Sequence, residues 1–288
     1  MPVGHRHLVG LIGADIGPSL APPLHEREAA RLGLGYAYER IDLTALGLAP
    51  ERIGALLRTA GDLGFSGVNV THPCKQMAVG HLDDLSPDAA ALGAVNTVVF
   101  SQGRAVGHNT DATGFARSLS RGLPDVRMDD VVLLGAGGAG AAVAHALLSL
   151  GTGRLTVHDV EGARSARLVE ALERSFGPGR ARTGGIDALA DADGLVHATP
   201  TGMAAHPGSP VPAELLHPRL WVADVVYRPL ETALLAAARA RGCRVLHGGG
   251  MVVLQAAESF RLFTGAEPDP ERMLRHFDAL EGEAARVA

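Results

Sequence analysis

The stretch Gly135-Ala136-Gly137-Gly138-Ala139-Gly140 constrains this chain more than any other. It matches G-x-G-x-x-G, follows the apolar run 131–134 and opens a charge-free run that reaches residue 150. That context predicts a strand, a tight turn and a helix. Gly135 allows the turn, Gly137 lets the backbone approach a pyrophosphate, and Gly140 lets helix and strand pack closely. The helix amino end then faces the anion. The alternative is a tight turn with no ligand, and three glycines in register argue against it. Residues 131–151 carry no charge and are long enough to suggest a membrane span. The glycines at 135, 137, 138 and 140 divide the stretch, so a water-exposed α/β unit is expected instead.

Around that unit the apolar pattern alternates between strands and helices. Strands are predicted at 8–12, 36–43, 65–70, 94–100 and 105–107, and helices at 22–32, 50–63 and up to 92. This reads as a parallel-rich α/β layer. From 109 onward a helix at 110–119 leads into strands at 131–134, 155–158, 195–198, 221–226 and 244–246. Helices are predicted between them at 138–150, 163–176 and 230–241. Two further helices, 250–263 and 270–280, end the chain with no strand after them. They must pack on something already built, and the first domain is the expected host. The fold class is therefore α/β, with two α/β domains flanking a cleft. The first covers 1–108, completed by C-terminal helices at 248–288, and the second is a Rossmann-type dinucleotide-binding domain at 109–247.

Composition narrows the function classes. A formal net charge of -5 and no basic cluster with interleaved aromatics argue against nucleic acid or an anionic membrane as partner. Residues 1–7, with His5 and His7 in an expected loose start, lack a signal-peptide core. Two cysteines, Cys74 and Cys243, make no disulfide framework, so a cytoplasmic location is expected. Cys74 is either a nucleophile or, more ordinarily, a small buried thiol. The thirteen histidines form no metal-ligand spacing, and no metal is expected.

Of 26 basic residues only Lys75 is a lysine; the other 25 are arginine. An ammonium exchanges a proton once its pKa falls, whereas a guanidinium stays charged. Lys75 lies just past the predicted strand 65–70, where open α/β sheets place ligands. The plain alternative is a lysine on a solvated face. Asp111, in Gly107-His108-Asn109-Thr110-Asp111, either pairs with Lys75 across the cleft or, with Thr110, caps the next helix. Asp159 ends the second strand of the glycine-motif unit. Its carboxylate suits a ribose hydroxyl and repels a 2′-phosphate, favouring NAD. A helix N-cap is the alternative, and Arg164 in the following turn leaves NADP possible.

Together these segments resemble the shikimate dehydrogenase family. The resemblance rests on Gly10-Leu11-Ile12-Gly13, Ser19-Leu20-Ala21-Pro22, Asn69-Val70-Thr71-His72-Pro73-Cys74-Lys75, Gly93-Ala94-Val95-Asn96-Thr97 and Asn109-Thr110-Asp111. Ala198-Thr199-Pro200-Thr201-Gly202-Met203, Asp224-Val225-Val226-Tyr227 and Gly249-Gly250-Met251 through Gln255-Ala256-Ala257 extend it downstream. It implies an N-terminal substrate-binding domain and Lys75 with Asp111 as the catalytic pair. It implies that Ser19, Thr71, Lys75, Asn96, Asp111, Tyr227 and Gln255 hold shikimate or quinate. It implies that Gly135, Ala136, Gly137, Gly138, Ala139, Gly140, Asp159, Arg164, Thr199, Pro200, Thr201, Met203, Val226, Gly248 and Met251 line the cofactor. The protein would act as a monomer or homodimer.

The chain departs from the family pattern twice. Ala21 stands where a second hydroxyl residue is usual, which removes one donor to the substrate carboxylate. His158-Asp159-Val160 stands where NADP-dependent members carry Asn-Arg-Thr, which looks like the NAD-preferring quinate/shikimate branch. The implied reaction moves a hydride between NAD(P) and the C3 hydroxyl carbon of shikimate or quinate. Two other readings remain open: a dehydrogenase for aminoshikimate, and a ligand-sensing protein on the same fold.

Overall fold

The computed structural model describes residues 6–17 and 19–287, with side chains up to Gly282; His5 lies outside them. In chain order the elements are β1 (Arg6–Gly13), α1 (Ala21–Arg31), β2 (Gly35–Asp42), α2 (Ile53–Asp62), β3 (Gly67–Val70), β4 (Asp84–Leu85), α3 (Pro87–Leu92), β5 (Thr97–Ser101) and β6 (Arg104–His108). There follow α4 (Thr110–Gly122), β7 (Asp130–Leu134), α5 (Gly138–Ser149), β8 (Arg154–His158), α6 (Gly162–Phe176), β9 (Ala181–Thr183), β10 (Gly194–His197) and β11 (Trp221–Asp224). The last are α7 (Ala233–Ala240), β12 (Arg244–Leu246), α8 (Gly249–Thr264) and α9 (Pro270–Val287). Two compact units result: residues up to Thr110 with Val253 onward, and Asp111–Val252.

The first unit holds a sheet in the order β2-β1-β3-β5-β6-β4. It is parallel at β1/β2 and β1/β3 and antiparallel at β3/β5 and β5/β6. The β5/β6 reversal has a local cause. Gln102 and Gly103 both have positive φ (52° and 74°), the requirement of a two-residue hairpin turn. Leu57 and Ala60 of α2 pack on Ile12, Val68 and Val70 in one core cluster. A second cluster joins Val9, Leu11 and Tyr38 to Phe263 of α8. Beside it His25, fully buried on α1, contacts Tyr38, Phe260 and Phe263 and hydrogen-bonds the Tyr36 hydroxyl at 2.9 Å. α9 is tied to α1 by Glu28, which is fully buried and accepts from Arg272 Nε at 2.9 Å, from Arg272 Nη2 and from the Asp269 N–H at 2.8 Å.

The second unit holds a wholly parallel sheet in the order β12-β11-β10-β7-β8-β9. Counted from β7 this is the doubly wound order, with its switch point between β7 and β10. Val132, Leu195 and Val222 on the strands bury Leu234 and Leu235 of α7. The charge-free run 131–151 divides into β7 and α5, and no helix among the described residues is long and apolar enough to cross a membrane.

Several predicted boundaries move, each for a visible reason. β3 starts at Gly67 because the Phe65 N–H bonds back to Ala60 O and closes α2. β5 starts at Thr97 because the N–H groups of Val95 and Asn96 go to Lys75 O and His108 O. β11 ends at Asp224, whose carboxylate draws back the Val226 N–H. α7 starts after Thr232, whose hydroxyl caps the Leu235 N–H. His7 is not loose: it lies in β1, and its ring bonds Ser66 Oγ at 3.2 Å. Cys74 is fully buried in the first core, and that burial pushes its thiol pKa up, as an inert thiol requires.

Candidate functional site

In the second unit the three glycines of the motif each face a different constraint. Gly135 has φ of 102°, and a Cβ there would meet Ala198 O at 2.6 Å. At Gly140 a Cβ would meet Gly135 O at 2.0 Å, so helix and turn could not close with any other residue. Gly137 has nothing within 4 Å of that position: it borders open space. It is also the N-cap of α5 and supplies no capping side chain, so the first N–H groups of the helix have no side-chain acceptor. The cradle fits a pyrophosphate, with Gly138 and Ala139 in the first helical turn.

Asp159 sits one residue past β8. Its Oδ2 accepts the Ala136 N–H at 2.7 Å and its Oδ1 the Glu161 N–H at 2.9 Å. The N-cap of α6 is Glu161, which removes the capping alternative for Asp159. The carboxylate is instead fastened to the glycine turn. Arg164, in the first turn of α6, pairs with Glu161 at 2.8 Å, with both side chains about half exposed.

Thr199, Pro200, Thr201 and Met203 form the loop after β10, on the other side of the switch point. The Thr199 methyl lies 3.0 Å from where a Gly135 Cβ would stand. The Gly248 N–H donates to Val226 O at 3.3 Å, which brings those two together, while Met251 lies in the first turn of α8 and is 9% exposed. Tyr227 is half-buried in the loop after β11. Asp111 is 7% exposed. α4 begins at Thr110, so neither Thr110 nor Asp111 is an external cap; both lie within its first turn.

In the first unit Lys75 is half-buried in the turn that follows β3. Its carbonyl accepts the Val95 N–H at 2.9 Å, and Asn96 O accepts the Val70 N–H at 2.8 Å. The lysine turn and the Asn96 segment are thereby stapled together. Thr71 is half-buried and donates its N–H to Ile12 O at 2.9 Å. Asn96 is 4% exposed; its Oδ1 accepts the Thr110 N–H at 2.8 Å and its Nδ2 donates to Thr110 Oγ1 at 2.9 Å. Gln255 Oε1 lies 3.4 Å from the same hydroxyl. Thr110 thus joins Asn96 to Gln255, a linking role its place in Asn109-Thr110-Asp111 did not reveal. Ser19 Oγ accepts the Ala21 N–H at 3.3 Å at the entry to α1, and its carbonyl accepts from Arg40 at 2.9 Å. Asn69 is spent on structure, bonded to Tyr38, Asn96 and Thr97. Sequence reasoning also missed His197, Asp224 and Thr232, which form one buried hydrogen-bonded set.

The family model for the shikimate dehydrogenase substrate binding domain matches residues 11–98, and that for the shikimate 5'-dehydrogenase C-terminal domain matches 248–276. A shikimate dehydrogenase (NADP(+)) of Streptomyces avermitilis is 65% identical over 97% of this chain and 97% of its own length. A quinate/shikimate dehydrogenase (NAD(+)) of Corynebacterium efficiens is 49% identical, covering 95% of this chain and 98% of its own. The structure of quinate dehydrogenase from Corynebacterium glutamicum in complex with NAD superposes with a TM-score of 0.90 at 44% identity, covering 95% of this chain and 99% of that one. With a doubly wound sheet, a pyrophosphate cradle and these full-length matches, the chain belongs to the shikimate dehydrogenase family.

Proposed function

We propose that this protein is a cytoplasmic dehydrogenase, monomeric or homodimeric, that interconverts shikimate or quinate with the 3-keto acid and prefers NAD to NADP. The observation that carries the reading is the pair Gly137 and Asp159. An open, uncapped helix start offers N–H donors to a pyrophosphate, and a carboxylate is fastened at its edge by the Ala136 N–H. A bound nicotinamide would take the C3 hydride with its electron pair, and the C3–O bond becomes a carbonyl. The preference for NAD rests on Asp159, since the relatives are named for either cofactor. A carboxylate and a 2′-phosphate repel, by about 4 kcal/mol at 4 Å and an effective dielectric near 20, less in solvent.

The substrate side belongs to Lys75 and Asp111. In oxidation the hydroxyl proton must leave as the hydride does, and Lys75 takes it or, as an ammonium, holds the developing alkoxide. Asp111 orients the hydroxyl and the ammonium. Ser19, Thr71, Asn96, Tyr227 and Gln255 hold the carboxylate and the remaining hydroxyls. The Thr110 hydroxyl keeps Asn96 and Gln255 in register for this task. Two buried free thiols suit a reducing compartment.

One kinetic grid tests the proposal: shikimate, quinate and aminoshikimate against NAD and NADP, followed by nicotinamide absorbance. Turnover of shikimate or quinate with higher kcat/KM for NAD is expected. A clear NADP preference would overturn the cofactor assignment, and turnover of aminoshikimate alone would overturn the substrate.

A further inference from the structure

His197 and Asp224 are register partners at the ends of β10 and β11, so their side chains stand next to each other on one face of the sheet. Both side chains are wholly buried, 2.9 Å apart between Nδ1 and Oδ1. A buried carboxylate needs donors, and Asp224 has three. They are the His197 ring, the Val226 N–H at 3.0 Å and the Thr232 hydroxyl at 2.7 Å. In the neutral ring with Nδ1–H donated to Asp224, Nε2 is an acceptor. The group it meets is the Thr199 hydroxyl, which in turn accepts the Thr201 N–H at 3.3 Å.

A chain of bonds therefore runs from the start of α7, through Thr232, Asp224 and His197, to Thr199. It ends where Thr199 leaves the core and packs its methyl against Gly135, the first glycine of the cradle.

We propose that His197 is a positioning residue for the nucleotide site: it transmits the fixed orientation of Asp224 to the Thr199 hydroxyl and so holds the 199–203 loop against the glycine turn. This rests on the proposed assignment of that cradle to a nicotinamide dinucleotide. The imidazole touches neither substrate nor cofactor; it acts through Thr199.

The test is a double-mutant cycle on the full chain, read by NADH fluorescence titration, with NADPH in parallel. Losing one neutral hydrogen bond should raise the Kd for NADH by about three- to tenfold in Thr199→Val and in His197→Leu. Because His197 acts through Thr199, whose hydroxyl also accepts the Thr201 N–H, the double variant should be no weaker than Thr199→Val alone. The KM for shikimate should stay within about twofold while the KM for the nucleotide rises. Fold-changes that multiply in the double variant would overturn the proposal, since His197 would then act through general packing. If circular dichroism shows that His197→Leu does not fold, Thr199→Val alone decides, and an unchanged Kd refutes the idea. Wild-type protein that binds neither nucleotide would sink the functional assignment itself, a result distinct from variants that match a binding wild type.

Discussion

Lowering the pH from 7 to 5 should weaken the first unit through one buried ring. His25 has no exposed surface, and desolvation lowers its pKa from 6.5 to about 3. Above 6.5 the ring is neutral in both folded and unfolded chains and contributes no pH dependence. Below 6.5 the unfolded chain binds a proton that the folded chain refuses, so stability falls with the pH until about 3. Each pH unit in that window is worth about 1.4 kcal/mol. Between pH 7 and 5 the loss is about 2 kcal/mol, whatever the folded value, provided it lies well below 5. Against a typical stability of about 5–15 kcal/mol this is a large fraction. Urea unfolding at pH 7 and pH 5, on wild type and His25→Phe, reads it directly. The phenylalanine keeps a ring among Tyr38, Phe260 and Phe263 but cannot take a proton. His108 and His276, whose pKa values burial also lowers, are present in both proteins and drop out of the comparison. Wild type should lose about 2 kcal/mol more than the variant. Equal losses would refute the argument.

Two further outcomes bear on the site. Lys75→Arg should cut kcat by about 10²–10⁴-fold with little change in substrate KM, because charge is kept and proton exchange is lost; near-normal turnover would reduce Lys75 to a positioning charge. Asp159→Asn should shrink the NAD-over-NADP ratio of kcat/KM by roughly tenfold or more, since the amide oxygen can still hold the Ala136 N–H while the charge is gone; an unchanged ratio would show that the carboxylate does not choose the cofactor.

What the sequence revealed and what it hid follow from range. The glycine turn was legible in part because Gly140 answers to Gly135 O within the same few residues, whereas Gly135 answers to Ala198 O from far along the chain and Gly137 to open space. The strands were legible as apolar runs, but their ends were not. Those ends are set by single bonds such as Phe65 N–H to Ala60 O, which periodicity does not encode. β9 was missed because only Ala181 of its Ala-Arg-Thr is buried, so no apolar run marks it. Asp159 was found as a residue, while its tie to Ala136 lies 23 positions back and needs the β7/β8 pairing to be known. His197 and Asp224 are 27 positions apart, and only parallel register makes them neighbours. A histidine after an apolar run reads in sequence as a strand end and nothing more.

The clasp of Glu28 by Arg272 also sets a timetable for synthesis. The two residues are 244 positions apart, and the whole unit Asp111–Val252 is translated between them. That middle unit is continuous in the chain and can fold as soon as it emerges. The first unit cannot, because α8 and α9 arrive last. At about 5–20 residues per second, Glu28 waits on the order of 12–50 s for its guanidinium. During that interval a carboxylate destined for full burial, and the buried His25 ring that packs on Phe260 and Phe263 of α8, remain without their cover. The half-built first unit, not the dinucleotide unit, is therefore where nascent chains should engage chaperones or aggregate.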